Sequence, residues 1–120
     1  MTDVRVEIKK AEPNGAPVTT AQRYRAQVTL YIEGKDGSLK PSGWSTRKEH
    51  GADDKPFEFQ PGKNLIEGWS RGVLQMKQGE RALLHVPAAL GYKDQAVGQP
   101  GGTFYVPANA DLCFDIEVLK

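Results

Sequence analysis

Only one stretch of this chain, residues 64 to 79 (NLIEGWSRGVLQMKQG), repeats its apolar side chains at helical spacing. Leu65, Trp69, Val73 and Met76 fall on one face, while Ser70, Arg71, Gln75 and Lys77 fall elsewhere. Asn64 is placed to cap the segment, with Glu67 closing a capping box, and Gly79 with Lys77 before it gives a stop. Most of the remaining periodic sequence alternates with period two. A lone helix among strands must therefore cover one face of a twisted sheet. Gly68 and Gly72 each cost that helix about 1 kcal/mol relative to alanine. Flanking Trp69, they allow a close approach of the helix backbone, so that the indole sits low against the sheet.

The alternating segments are read as strands. Val4, Val6 and Ile8 predict a half-buried first strand, and "EPNGAP" (residues 12 to 17) is turn chemistry. Tyr24, Ala26, Val28, Leu30 and Ile32 share one face of a long second strand that ends at the Asp36-Gly37 turn. Residues 38 to 54 read as an irregular polar loop around Trp44. Phe57 and Phe59 lie on one face of a short strand, and Ala82, Leu84 and Val86 are in phase on another. Residues 88 to 110 read as one long loop, of a length that in a compact domain is functional or mobile. The last strand, "DLCFDIEVLK", points Leu112, Phe114, Ile116 and Val118 inward and Asp111, Cys113, Asp115 and Glu117 outward. The expected fold class is α+β: an antiparallel twisted sheet of about five strands wrapped around one short α-helix, as a single domain over residues 1–120.

Charge and composition exclude several functions. With 16 basic and 15 acidic residues the net charge is +1, which argues against nucleic acid and anionic membranes as partners. The first residues alternate apolar and charged, unlike a signal peptide, and no apolar run approaches a transmembrane length. One cysteine forbids an internal disulfide and fits a reducing, cytoplasmic setting.

Familiar catalytic constellations are also missing. Phe57 stands where a phosphate loop ending at Gly62-Lys63 requires its first glycine. No nucleophile elbow appears. His50, His85 and Cys113 form no recognisable metal set, so no metal and no cofactor are expected. His85 reads as structural on the more exposed sheet face, and Cys113 as a surface or partly covered thiol. Glu58, Glu67 and Glu80 read as solvated charges. What remains is a store of aromatic residues, several of them in or beside loops, where core residues are less expected.

Those residues carry a resemblance. "PFEFQPGKNLIEGWSRGVLQMKQGERALLHVP", a later tyrosine and "VPANADLCFDIEVL" together resemble the FKBP-type peptidyl-prolyl isomerases, the tacrolimus- and rapamycin-binding family. The match is strong from about residue 56 to 119 and weaker before that. It implies an antiparallel sheet curled around a short helix, in agreement with the alternation. It also implies a proline pocket with Trp69 as floor, Phe57 and Phe114 as walls, and Leu65 and Ile66 at the helix entrance, where the Ile66 backbone meets ligand. Tyr92 resembles the tyrosine whose hydroxyl meets a ligand carbonyl. Phe104 and Tyr105 fall where the long loop usually carries aliphatic residues over the pocket.

Departures from the family pattern are specific. Lys93 stands where a glycine usually follows the tyrosine. "WSTR" replaces a common F-D-S-S segment, so Trp44 stands for phenylalanine and Ser45 for aspartate. A tyrosine usual in the second strand maps to Leu30 without gaps, or to Tyr31 with one deletion. A slip of one residue reverses every side chain, and Leu30 shares phase with Ala26 and Val28, which favours Leu30.

The resemblance implies acceleration of rotation about Xaa-Pro bonds by a monomer, with proline-containing polypeptides as substrates and macrolides such as tacrolimus or rapamycin as ligands. The rival reading is an FKBP-like binding module or chaperone without turnover, favoured by Ser45, Lys93 and the bulky Phe104-Tyr105 pair. An aromatic binder of single-stranded nucleic acid is disfavoured by the near-zero charge.

Overall fold

Alternation in the sequence becomes one antiparallel sheet in space. The structure is a computed structural model and describes residues 4–48, 54–63, 65–99 and 104–119. Its elements are β1 (Arg5–Lys10), β2 (Tyr24–Glu33), β3 (Leu39–Ser45), β4 (Phe57–Phe59), α1 (Glu67–Val73) and β5 (Arg81–Val86). A 3-10 turn at Ala88–Leu90, the short strands β6 (Val97–Gly98) and β7 (Tyr105–Val106), and β8 (Asp111–Val118) follow. The main sheet runs β1-β5-β8-β2-β3, with β4 also on β2, and all its pairings are antiparallel. No described helix is long and apolar enough to cross a membrane.

Cross-strand rows build the core. Leu84, Phe114 and Leu30 align across β5, β8 and β2, as do Ala82, Ile116 and Val28. None of these six is more than 2% exposed. Each large member of these rows contributes about 1.5–3 kcal/mol by leaving water. The expected burial holds at Val4, just before β1, and in part at Val6 within it, but Ile8 is exposed where the pairing with β5 shifts register.

Helix α1 lies on this inner face, and its glycines have the reason anticipated. A Cβ on Gly68 would stand 2.3 Å from Val86 Cγ1, and one on Gly72 would stand 2.8 Å from Leu84 Cδ1. The helix is shorter than the 64–79 periodicity suggests. Ile66 is the N-cap and no side chain caps it; Glu67 is already the first helical residue, so the expected capping box is absent, and Asn64 lies outside the described residues. An (i, i+4) ion pair between Glu67 and Arg71 and the bond from Gly62 N–H to Ser70 Oγ steady the two turns.

Residues 39–45, expected in a loop, form β3. Pro41 and Gly43 hide the strand from a pattern search because both are unfavourable inside sheets, but β3 is an edge with a bulge, where they are tolerated. Ser42 donates to the Leu30 carbonyl at 2.7 Å, and the Thr46 hydroxyl accepts the Val28 N–H at 2.9 Å, filling the irregular rungs. The 88–110 segment likewise carries structure, the 3-10 turn and the β6–β7 pair.

The outer face of the sheet is polar yet well covered. Arg47, 4% exposed, donates to the Thr29 hydroxyl at 2.7 Å and to the Asp115 carbonyl at 2.9 Å, and pairs with the Asp115 carboxylate at 3.4 Å. The same carboxylate takes a two-pronged contact from Arg81, at 2.9 and 2.8 Å. Two sequence expectations fail nearby. Cys113 is fully buried rather than a surface thiol, because Tyr31 and His85 flank it in register; burial and neighbouring acids push its pKa up to about 12. Glu80 is buried rather than solvated, accepting the backbone N–H groups of Lys77 at 2.8 Å and Glu12 at 3.1 Å.

Candidate functional site

Helix α1 delivers one aromatic side chain into the angle between itself and the sheet. Placed against the sheet by Gly68, Trp69 is 4% exposed and meets its neighbours edge-on. Its ring centroid lies 5.0 Å from Phe114 of β8, 5.5 Å from Phe57 and 5.6 Å from Phe59 of β4, and 6.5 Å from Trp44 of β3. Tilted pairs at these distances each contribute about 0.5–1.5 kcal/mol beyond area burial. The rings therefore hold one another at fixed angles. Phe59 is buried beneath this set and acts as a buttress that sequence reasoning had not assigned to the site.

Above the indole opens a cup of about 340 Å³. Trp69, Phe57, Phe114, Leu30 and Trp44 line it from the helix and sheet, and Leu65, Ile66, Tyr92 and Phe104 complete it from the connecting segments. Every one of these residues was expected at a pocket. Leu30, not Tyr31, faces the cup, as strand phase requires. Two expected residues are elsewhere. Ser45 turns to the other face, where its hydroxyl lies 2.8 Å from that of Thr29 and accepts the Arg47 N–H at 3.0 Å. Tyr105 pairs with Gly98 in the β6–β7 ladder and is not part of the lining. The reason is alternation: Trp44 and Ser45 are neighbours in a strand, and so are Tyr105 and the buried Val106.

Polar fittings in the cup are few. The Tyr92 hydroxyl has no partner among the described residues; as a phenol it is a donor at neutral pH, and partial burial raises its pKa further above the ordinary 10.0. The backbone N–H of Ile66, just ahead of the helix, also has no acceptor among the described residues, while the Ile66 carbonyl accepts from Trp69 and Ser70. The indole Nε1 of Trp69 is buried without a partner there as well. Lys93, where the family pattern has glycine, adopts a left-handed backbone with φ 56°. Bonds from Lys93 N–H to the Ala88 carbonyl (3.0 Å) and from Asn109 N–H to the Lys93 carbonyl (2.7 Å) hold it, and with it the loop that presents Tyr92. Such a cup suits a compact apolar ring attached to a carbonyl group. Among the described residues it offers no activated nucleophile.

Comparison with known proteins points the same way. A family model described as FKBP-type peptidyl-prolyl cis-trans isomerase matches residues 18–119. The chain is 42% identical over 89 residues to the peptidyl-prolyl cis-trans isomerase FKBP12 of Arabidopsis thaliana, covering 72% of each chain. It is 34% identical over 97 residues to FK506-binding protein 1 of Gibberella zeae, covering 72% of this chain and 82% of that one. Among solved structures it resembles AtFKBP13, with a TM-score of 0.77 at 25% identity over 98% of this chain and 91% of the other.

Proposed function

The chain belongs to the FKBP-type peptidyl-prolyl cis-trans isomerase family and is an isomerase of proline-containing polypeptides; we propose that its aromatic cup is where the peptide bond turns. Rotation about an amide meets a barrier of roughly 18–20 kcal/mol because it breaks resonance. The planar amide is charge-separated, with negative density on oxygen, and the twisted form is less so. A water-poor cup walled by rings disfavours the planar form more than the twisted one. That is differential binding, and it needs no covalent intermediate.

In this reading the prolyl ring rests on Trp69 between Phe57 and Phe114, with Leu30, Trp44, Leu65 and Phe104 shutting out water. The Tyr92 hydroxyl and the Ile66 N–H take the carbonyls on either side of the rotating bond. Ser45 braces Thr29 and Arg47, and Tyr105 anchors the segment bearing Phe104. The observation that carries the proposal is an almost fully buried indole that still lines an open cup. In this reading the active form is a single-domain monomer. Macrolides such as tacrolimus or rapamycin are proposed to occupy the same cup, and the single buried thiol suits a cytoplasmic setting.

The test is exchange spectroscopy on an Xaa-Pro peptide with catalytic amounts of protein. The parent accelerates exchange, and Trp69→Leu slows it at least about tenfold, equivalent to about 1.4 kcal/mol of barrier. A folded Trp69→Leu variant as fast as the parent removes the cup from the reaction. Peptide shifts without exchange in the parent reduce the cup to a binding module.

A further inference from the structure

The sheet face opposite the cup gathers a second set of reactive side chains. Cys113 sits in register between His85 on β5 and Tyr31 on β2, and Glu33, two residues beyond Tyr31, leans over the same spot. The imidazole of His85, the thiol of Cys113 and a carboxylate oxygen of Glu33 lie within 4.8 Å of one another. His85 Nδ1 is 2.5 Å from Glu33 Oε1, and on its far side Nε2 is 3.0 Å from Glu7 Oε1. Glu7 is held in turn by Lys9 at 2.6 Å and lies 3.9 Å from Arg5.

We propose that Glu33, His85 and Cys113 bind one divalent metal ion of the zinc type, with Glu7 orienting the histidine from behind. One imidazole nitrogen, one sulfur and one carboxylate oxygen form a donor set that favours zinc and its softer neighbours over magnesium or calcium. Metal bonds of 2.0–2.3 Å in a tetrahedron place donors about 3.3–3.6 Å apart. The present separations straddle that range, so movements of about one ångström per side chain close the site. Glu7 completes the arrangement usual for metal-bound histidines, in which a carboxylate accepts from the distal N–H and fixes the tautomer. Nδ1 is thereby left facing Glu33 and Cys113. The ion takes the place of the proton between Nδ1 and Glu33 and of the thiol proton.

Two further observations fit. A depression lined by Arg5, Glu33, His85 and Asp111 leads to the cluster, while Cys113 lies beneath as its fully buried member. That leaves a path for the ion and room for water as a fourth ligand. A histidine clamped between two carboxylates would explain itself as a structural tie, but such a tie has no use for a sulfur atom.

The test titrates the full chain with Co²⁺, whose absorption reports its ligands, and then competes with Zn²⁺. The expected result is one cobalt per chain, with sulfur-to-metal charge-transfer absorption and visible bands of four-coordinate intensity, both abolished by zinc. Cys113→Ser loses the charge-transfer band. Glu33→Gln keeps it but binds cobalt at least about tenfold more weakly. A folded parent without the charge-transfer band overturns the proposal, as does a band that survives in Cys113→Ser. Should Cys113→Ser not fold, unchanged cobalt affinity in folded Glu33→Gln overturns it equally. The isomerase assay plays no part in these readouts.

Discussion

Replacing Gly68 with alanine tests whether helix seating governs the cup. On helix propensity alone Gly68→Ala would stabilise the protein by up to about 1 kcal/mol. The added methyl group would meet Val86 Cγ1 at 2.3 Å and Cγ2 at 3.0 Å, so rotating the valine only exchanges one clash for the other. Behind it the Leu90 carbonyl, at 3.0 Å, belongs to the backbone. Val86 is 1% exposed and has nowhere to go. Overpacking of this kind costs about 1–3 kcal/mol, and with a rigid neighbour the upper part of that range applies. Net destabilisation is therefore about 1–2 kcal/mol, or roughly 4–8 °C in Tm for a chain of this size.

Gly72→Ala is the control. Its new Cβ meets only the far end of the Leu84 side chain, at 2.8 and 3.1 Å, a milder clash than the 2.3 Å contact at Gly68 and with no backbone atom behind it. There the propensity gain and the packing loss nearly cancel, to within about 1 kcal/mol. Urea unfolding with an unchanged slope measures both variants. Gly68→Ala should also weaken proline-peptide binding, since the helix lifts the indole with it. A Gly68→Ala protein as stable as the parent would refute the close-approach reasoning.

Three further outcomes are expected. Lys93→Gly removes a left-handed non-glycine residue and should raise stability by about 0.5–1 kcal/mol in thermal melts, with isomerase activity retained. Cys113 should react with a thiol reagent, in the presence of a chelator, only as fast as the whole protein unfolds, so that labelling rates rise with urea in step with global opening. Asp36 accepts from the Ser38 N–H at 3.0 Å and hydroxyl at 2.7 Å, which holds its pKa below the ordinary 3.8. Its contribution is present above that value and lost as pH falls below it, so the Tm gap between parent and Asp36→Ala should close in acid.

Legibility in the sequence followed the regularity of the backbone. β2, β5 and β8 alternate without interruption, and their inner faces were readable from Val28, Leu84 and Ile116 alone. The choice of Leu30 over Tyr31 also came from phase, because pleating leaves no third option. β3 was unreadable for the converse reason, since Pro41, Gly43 and a bulge break its period at a sheet edge. The start of α1 was misplaced because Asn64 and Glu67 have the right spacing for a capping box while Ile66 takes the cap position. Burial of Cys113 and Glu80 depends on partners far along the chain, which local pattern cannot supply. The cup residues came chiefly from family resemblance. Ser45 and Tyr105 fell outside because resemblance aligns positions, whereas strand geometry decides which way each one points.

Asp115 has a consequence for how this chain can change over generations. Its single carboxylate answers both Arg47 and Arg81, and of the two only Arg47 is cut off from water. Loss of the acid would take the carboxylate from a buried cation that keeps its bonds to the Thr29 hydroxyl and to backbone carbonyls, while the exposed Arg81 could turn to solvent. Position 47 is thus tied to position 115 and position 81 is not. Wherever a relative has a neutral side chain in place of this aspartate, a neutral one should accompany it in place of Arg47, whereas Arg81 is free to persist.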